Sequence, residues 1–131
     1  MKKDISIPIV ENVYIAIVNE YNDIYKTQDW NAYIINDKEV DLEMVLIVTS
    51  GYSKDKITST FRKKLDVLPK KSYAKIELMQ EALFALNNSF KVTFFEDNKM
   101  YDKTYLFRKN TINLKAIQNI PLINAKGVLV K

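Results

Sequence analysis

The chain has 131 residues, 47% hydrophobic and 27% charged, which fits one domain able to bury about two thirds of its unfolded surface. It holds no cysteine and no histidine, so disulfides, thiolate chemistry, Ser-His-Asp and Cys-His arrangements and the commonest metal ligand are all excluded. The net charge of +4 is uneven: residues 1–53 balance at −5, residues 54–75 at +6 and residues 76–131 at +3.

Lys2 and Lys3 precede an apolar run that Asp4, Pro8 and Glu11 interrupt, with no small-residue cleavage site after it, so the expectation is a cytoplasmic chain. No stretch approaches the roughly 20 apolar residues of a membrane helix, and no membrane association is expected. Residues 13–21 are rich in β-branched and aromatic side chains and read as a first strand. Residues 30–36 carry apolar bulk on both alternating faces and read as an interior strand. Asn36, Asp37 and Asp41 then suggest a connection between antiparallel neighbours.

The organising stretch runs from Trp30 to Ser50, two apolar runs separated by a short block of charge. Alternation places Leu42, Met44, Leu46 and Val48 on one face, with Val45 and Ile47 on the other, as in the middle of a sheet. Ser50 and Gly51 break it. Residues 57–68 satisfy both helical and strand spacing, and the β-branched Ile57, Thr58 and Thr60 tip the reading to strand with helix as the alternative. Pro69 ends that element and 73–78 alternate as another strand. Residues 79–86 favour a short helix or helical turn crossing between sheet edges.

Residues 90–96 and 101–108 form the clearest hairpin, turning at Asp97 and Asn98, with Phe90, Val92 and Phe94 facing Tyr101, Tyr105 and Phe107. In the tail, 114–120 read as a short helix before Pro121, and 127–130 as a final edge strand.

Six or seven strands with short connections, one or two short helices and no βαβ repeat predict an all-β fold, an antiparallel β-sandwich, as a single domain. A partly wrapped barrel gives the same pattern. Residues 68–76, Leu-Pro-Lys-Lys-Ser-Tyr-Ala-Lys-Ile, resemble the turn in fibronectin type III and immunoglobulin-like domains where a tyrosine bonds back to upstream backbone. The resemblance implies that role for Tyr73, with Trp30 as the core tryptophan.

Across the chain, DWN at Asp29, DLEMVLIV from Asp41, MYDK from Met100 and FRKNT from Phe107 resemble a group of short bacterial proteins without an assigned activity. Some of that group carry the label phenylalanyl-tRNA synthetase alpha subunit. A class II synthetase catalytic domain needs a large antiparallel sheet with arginines gripping ATP, for which this chain is too short.

Three sets of residues are candidates for function. Lys54, Lys56, Arg62, Lys63, Lys64, Lys70, Lys71 and Lys75 could track a phosphate backbone, or could coat an exposed edge and pair with the acidic first third. Asp37, Glu39, Asp41 and Glu43 alternate, but they lack the spacing of a calcium loop. Among the aromatics, most should fill the core, while alternation sets Tyr33 and Phe95 opposite the buried faces of their strands, where together they would mark a binding patch.

With two glycines no phosphate cradle is possible, and GxSxG, HExxH and dinucleotide fingerprints are absent. No cofactor and no metal are expected. The leading expectation is a non-catalytic interaction module that binds a protein partner or itself through a strand edge or aromatic patch. The alternative is an RNA-, tRNA- or nucleotide-associated protein using residues 54–75. A histidine-free enzyme would need carboxylates or a lysine converging in a closed pocket.

Overall fold

The computed structural model describes residues 8–131, so the expectation at Lys2 and Lys3 lies outside the described residues. The alternating segments become β1 (Val13–Asn22), β2 (Thr27–Asn36), β3 (Leu42–Tyr52), β4 (Phe61–Leu68), β5 (Ser72–Met79), β6 (Asn87–Glu96), β7 (Lys99–Phe107), β8 (Gln118–Asn119) and β9 (Lys126–Val130). They form two antiparallel sheets, ordered β5-β2-β1-β9-β8 and β4-β3-β6-β7. The all-β sandwich is therefore shown. Strands β1, β2 and β5 opposite β4, β3, β6 and β7 give the immunoglobulin-like split, with β9 and β8 added outside β1.

Several local expectations are corrected. Nine strands occur among the described residues, where six or seven were expected. The 36–41 connection crosses from one sheet to the other and does not join hairpin neighbours. Strand β3 runs through Ser50 and Gly51 because both still pair with β6. Residues 57–60 stay outside β4, held to the end of β3 by an isolated bridge from Ile57 to Tyr52 and by Thr58, whose N–H donates to the Gly51 carbonyl and whose Oγ1 accepts from the Gly51 N–H, both at 2.8 Å. The 79–86 crossing holds as a helical turn, a single 3₁₀ turn at Glu81–Ala85. Residues 114–120 form no helix: a turn closed by the Ala116 N–H on the Asn113 carbonyl, with Asn113 Oδ1 accepting from the Lys115 N–H, leads into β8 at 118–119. Strand β9 lies between β1 and β8 and is not an edge.

The core fills from both sheets. Val13, Ile15, Ile17, Trp30, Ala32 and Ile34 from one face Leu42, Val45, Ile47, Phe90, Val92, Phe94 and Phe107 from the other. The β6–β7 hairpin has the expected pairs Phe90↔Tyr105 and Phe94↔Tyr101. Its two turn residues, Asp97 and Asn98, have φ of 51° and 63°, the left-handed pair that a two-residue hairpin turn needs.

Tyr73 does not make the predicted corner: it is 45% exposed and sits edge-on against Tyr33, with ring centroids 5.8 Å apart. The tyrosine that ties backbone across the sandwich is Tyr105, whose buried hydroxyl donates to the Val13 carbonyl at 2.6 Å. Burial pushes its phenol well above the usual range. Tyr105→Phe deprives that carbonyl of its cross-sheet donor, so a loss of about 1–3 kcal/mol is expected in urea unfolding. An unchanged midpoint would show that water replaces the hydroxyl.

The long edge strands carry inward charges, a device that discourages edge-to-edge pairing. Lys63 on β4 pairs with Ile47, and Lys103 on β7 pairs with Val92, both on the core side of their strands. On β5 a bulge sets Ile76 and Glu77 together opposite Ala32 and turns Glu77 inward.

Candidate interaction surface

The organising strand β3 decides which residues reach the outside. Its pairing with β6 shifts register between Glu43 and Leu46, and Met44 there has φ of 50°. This bulge reverses the phase of alternation. Leu42 joins Val45 and Ile47 in the core, while Met44 and Leu46, expected on the same face as Leu42, turn to solvent at 59% and 37% exposure.

The outer face of the four-stranded sheet then reads in rows. Arg62, Val48, Lys91 and Thr104 lie across one row, and Lys64, Leu46, Thr93 and Asp102 across the next. Val67, Glu43, Phe95 and Met100 form the third, with Val67 and Met100 at 48% and 56% exposure. Glu43, Met44, Asp66, Phe95 and Asn98 line a shallow depression of about 380 Å³ beside that row. The face thus holds apolar Met44, Leu46, Val67, Phe95 and Met100 among three cations and three carboxylates.

The opposite outer face is closed. Ile120 and Ile123 fold over Ala16, Val18 and Ile35 to make a second small core, ringed by Tyr14, Tyr33, Ala125 and Leu129. Tyr33 donates to Glu20 Oε2 at 2.6 Å, and Asn31 Nδ2 donates to the same oxygen at 2.7 Å. Burial, then the Glu20 hydrogen bond, raises the Tyr33 phenol far above its ordinary value. Tyr33 and Phe95 therefore stand on outer faces of different sheets, and Phe95 finds its neighbours in Met44 and Met100.

The basic candidates are dispersed. Lys54 and Lys56 sit in the loop before β4 and Lys70 and Lys71 in the turn after it, about 25 Å apart at roughly 3.3 Å per residue. Lys71 Nζ is 3.0 Å from Asp37 Oδ1 and 3.4 Å from Glu39 Oε2, and the Lys70 N–H donates to Asp41 Oδ1 at 2.8 Å. Three of the four alternating acids are thus engaged by this turn. Arg62 and Lys64 share the open face with Phe95, Lys63 points inward, and Lys75 pairs with Tyr33 on the other sheet.

A larger groove, of about 830 Å³, opens at the end of the sandwich over Trp30, Phe84 and Ile112, with Asn19, Gln28 and Glu81 on its rim. Trp30 meets Phe84 edge-on at 5.5 Å, and Gln28 Nε2 donates to Asn19 Oδ1 at 2.8 Å, so the rim amides partly satisfy each other. Among the described residues no three acids converge as metal ligands, and no helix is long and apolar enough to cross a membrane. A scan against protein-family models and a search of curated proteins each return no match to this chain.

Proposed function

We propose that this chain is a non-catalytic interaction module that docks a protein partner on the outer face of its four-stranded sheet. The carrying observation is the asymmetry of the two outer faces: one is covered by Ile120 and Ile123, whereas the other presents Met44, Leu46, Val67 and Met100 to solvent around a half-buried Phe95. Contiguous exposed apolar surface of this kind marks an interaction site in a folded domain. Flexible methionines at positions 44 and 100, near Phe95, suit a partner of irregular relief.

The charges favour protein over nucleic acid. The face carries both signs: Lys64 and Asp102 share the middle row, Arg62 and Lys91 lie in the row on one side of it, and Glu43 lies in the row on the other with Asp66 close by, so a protein surface of mixed sign complements the whole face and a phosphate backbone does not. On this face the nucleic-acid reading draws on Arg62, Lys64 and Lys91 alone. Edge docking is disfavoured by the inward Lys63, Lys103 and Glu77.

A photo-crosslinking residue at position 100, in the native cell, is expected to give one dominant protein adduct that the same residue at position 75 does not give. Leu46→Glu is expected to lower that adduct at least about tenfold, equivalent to roughly 1.4 kcal/mol of binding. Equal labelling from positions 75 and 100, an adduct with RNA, or indifference to Leu46→Glu would each overturn the proposal. A homodimer dissolved by Leu46→Glu would overturn the separate partner in favour of a second copy.

A further inference from the structure

At the β5 edge the two sheets enclose a carboxylate that has no cation beside it. The bulge at Ile76 and Glu77 directs Glu77 toward β3, where its Oε2 accepts a 2.9 Å hydrogen bond from Thr49 Oγ1. Glu77 takes part in none of the ion pairs among the described residues. Loss of hydration raises its carboxyl above the ordinary 4.5, with the Thr49 bond opposing. That is the signature of an anion lacking its counter-ion.

Around it lies a cleft of about 170 Å³. One part of its lining is oxygen on the inner side of the sheet: the hydroxyls of Thr49 and Thr58 and the side-chain carbonyl of Asn88. Another part is apolar: Phe61, Met79 and Leu83. Phe61 is 40% exposed, so the cleft reaches the surface beside the loop that precedes β4.

We infer that this cleft binds a primary alkylammonium group. An ammonium carries three donors and no acceptor, and here one carboxylate and neighbouring hydroxyl oxygens supply the acceptors it requires. Phe61, Met79 and Leu83 receive the alkyl chain. Calcium or magnesium would want six or more oxygen ligands and more than one carboxylate, and Glu77 has no acidic companion. A quaternary ammonium has no N–H to give the hydroxyls. The chemistry is common to a free small amine and to a lysine side chain presented by another protein.

The test is a backbone amide NMR titration with n-butylammonium chloride, against sodium chloride and tetramethylammonium chloride at equal ionic strength. Saturable shifts at Thr49, Thr58 and Asn88 are expected for butylammonium alone. Glu77→Gln, which keeps an acceptor for Thr49, is expected to weaken binding at least tenfold while leaving the rest of the spectrum in place. Thr49→Val provides a second variant, with a smaller loss. Shifts of equal size with sodium or tetramethylammonium, or titrations unchanged in Glu77→Gln, would overturn the site. Binding of N-acetyl-lysine methylamide alongside butylammonium assigns a lysine side chain as the ligand. Binding of butylammonium alone assigns a free amine.

Discussion

Asn36→Asp is expected to cost about 3–5 kcal/mol at neutral pH, a large share of the roughly 5–15 kcal/mol that holds a domain folded. Asn36 is fully buried where the connection out of β2 meets the turn between β4 and β5. Its Nδ2 donates to the carbonyls of Val40, Leu68 and Pro69 at 2.9, 3.1 and 3.0 Å, and its Oδ1 accepts from the Lys38 N–H at 3.1 Å. A carboxylate of the same shape keeps the last bond and turns a negative oxygen on three carbonyls. Only its protonated form can donate, so folding raises its pKa above the ordinary value of about 3.9.

The folded state of that variant then binds more protons than the unfolded state, and stability present at low pH is lost as pH rises through the raised pKa. Chemical denaturation of variant and parent at pH 4 and pH 7 checks this: the gap in midpoint should widen toward pH 7. Asn36→Ala should also destabilise, but with no such widening. A gap independent of pH in both would show that Asn36 acts through shape and not through its amide.

Gly127→Ala is expected to destabilise by about 1–3 kcal/mol, near the upper end, with a fall in melting temperature of roughly 5–10 °C. A Cβ at this position meets the Ile17 carbonyl oxygen and lies 2.8 Å from Val18 Cα, both backbone atoms in the middle of β1 that cannot swing aside. Strand β9 would have to move off β1, opening the side of the sandwich and loosening the 120–125 segment that covers Ala16 and Val18. Gly51→Ala is the internal comparison. Its nearest atoms are the side chains of Asn88 and Thr58 at 3.2 and 3.3 Å, which can yield, so a change under about 1 kcal/mol is expected. Equal midpoints for both variants would mean that β9 does not pack this closely.

How the site escaped a reading of the residues follows from β3. Strict alternation put Met44 and Leu46 on one face with Leu42, yet a bulge adds one residue and sends everything after it to the other side. No side chain in Glu43-Met44-Val45 announces that bulge, since Met44 takes a left-handed φ without being glycine, asparagine or aspartate. The apolar face that carries the proposed docking was therefore assigned in part to the core. The same holds on β5, where the bulge at Ile76 delivers Glu77 inward although the local sequence alternates without interruption. Phe95 was legible as an outward residue, but its partners are Met44 and Met100, which only strand pairing could supply.

The sequence by itself determined the secondary-structure class, most of the strand positions, the β6–β7 hairpin with its turn, and the exclusion of histidine and cysteine chemistry. These depend on side-chain alternation, turn propensity and composition, all local quantities. Tertiary structure alone decided which outer face is covered, where β9 inserts, how the basic residues disperse and which edges carry inward charge. Those outcomes are set by two bulges and by backbone approaches between segments as much as a hundred residues apart, and no window along a chain contains both partners of such a contact.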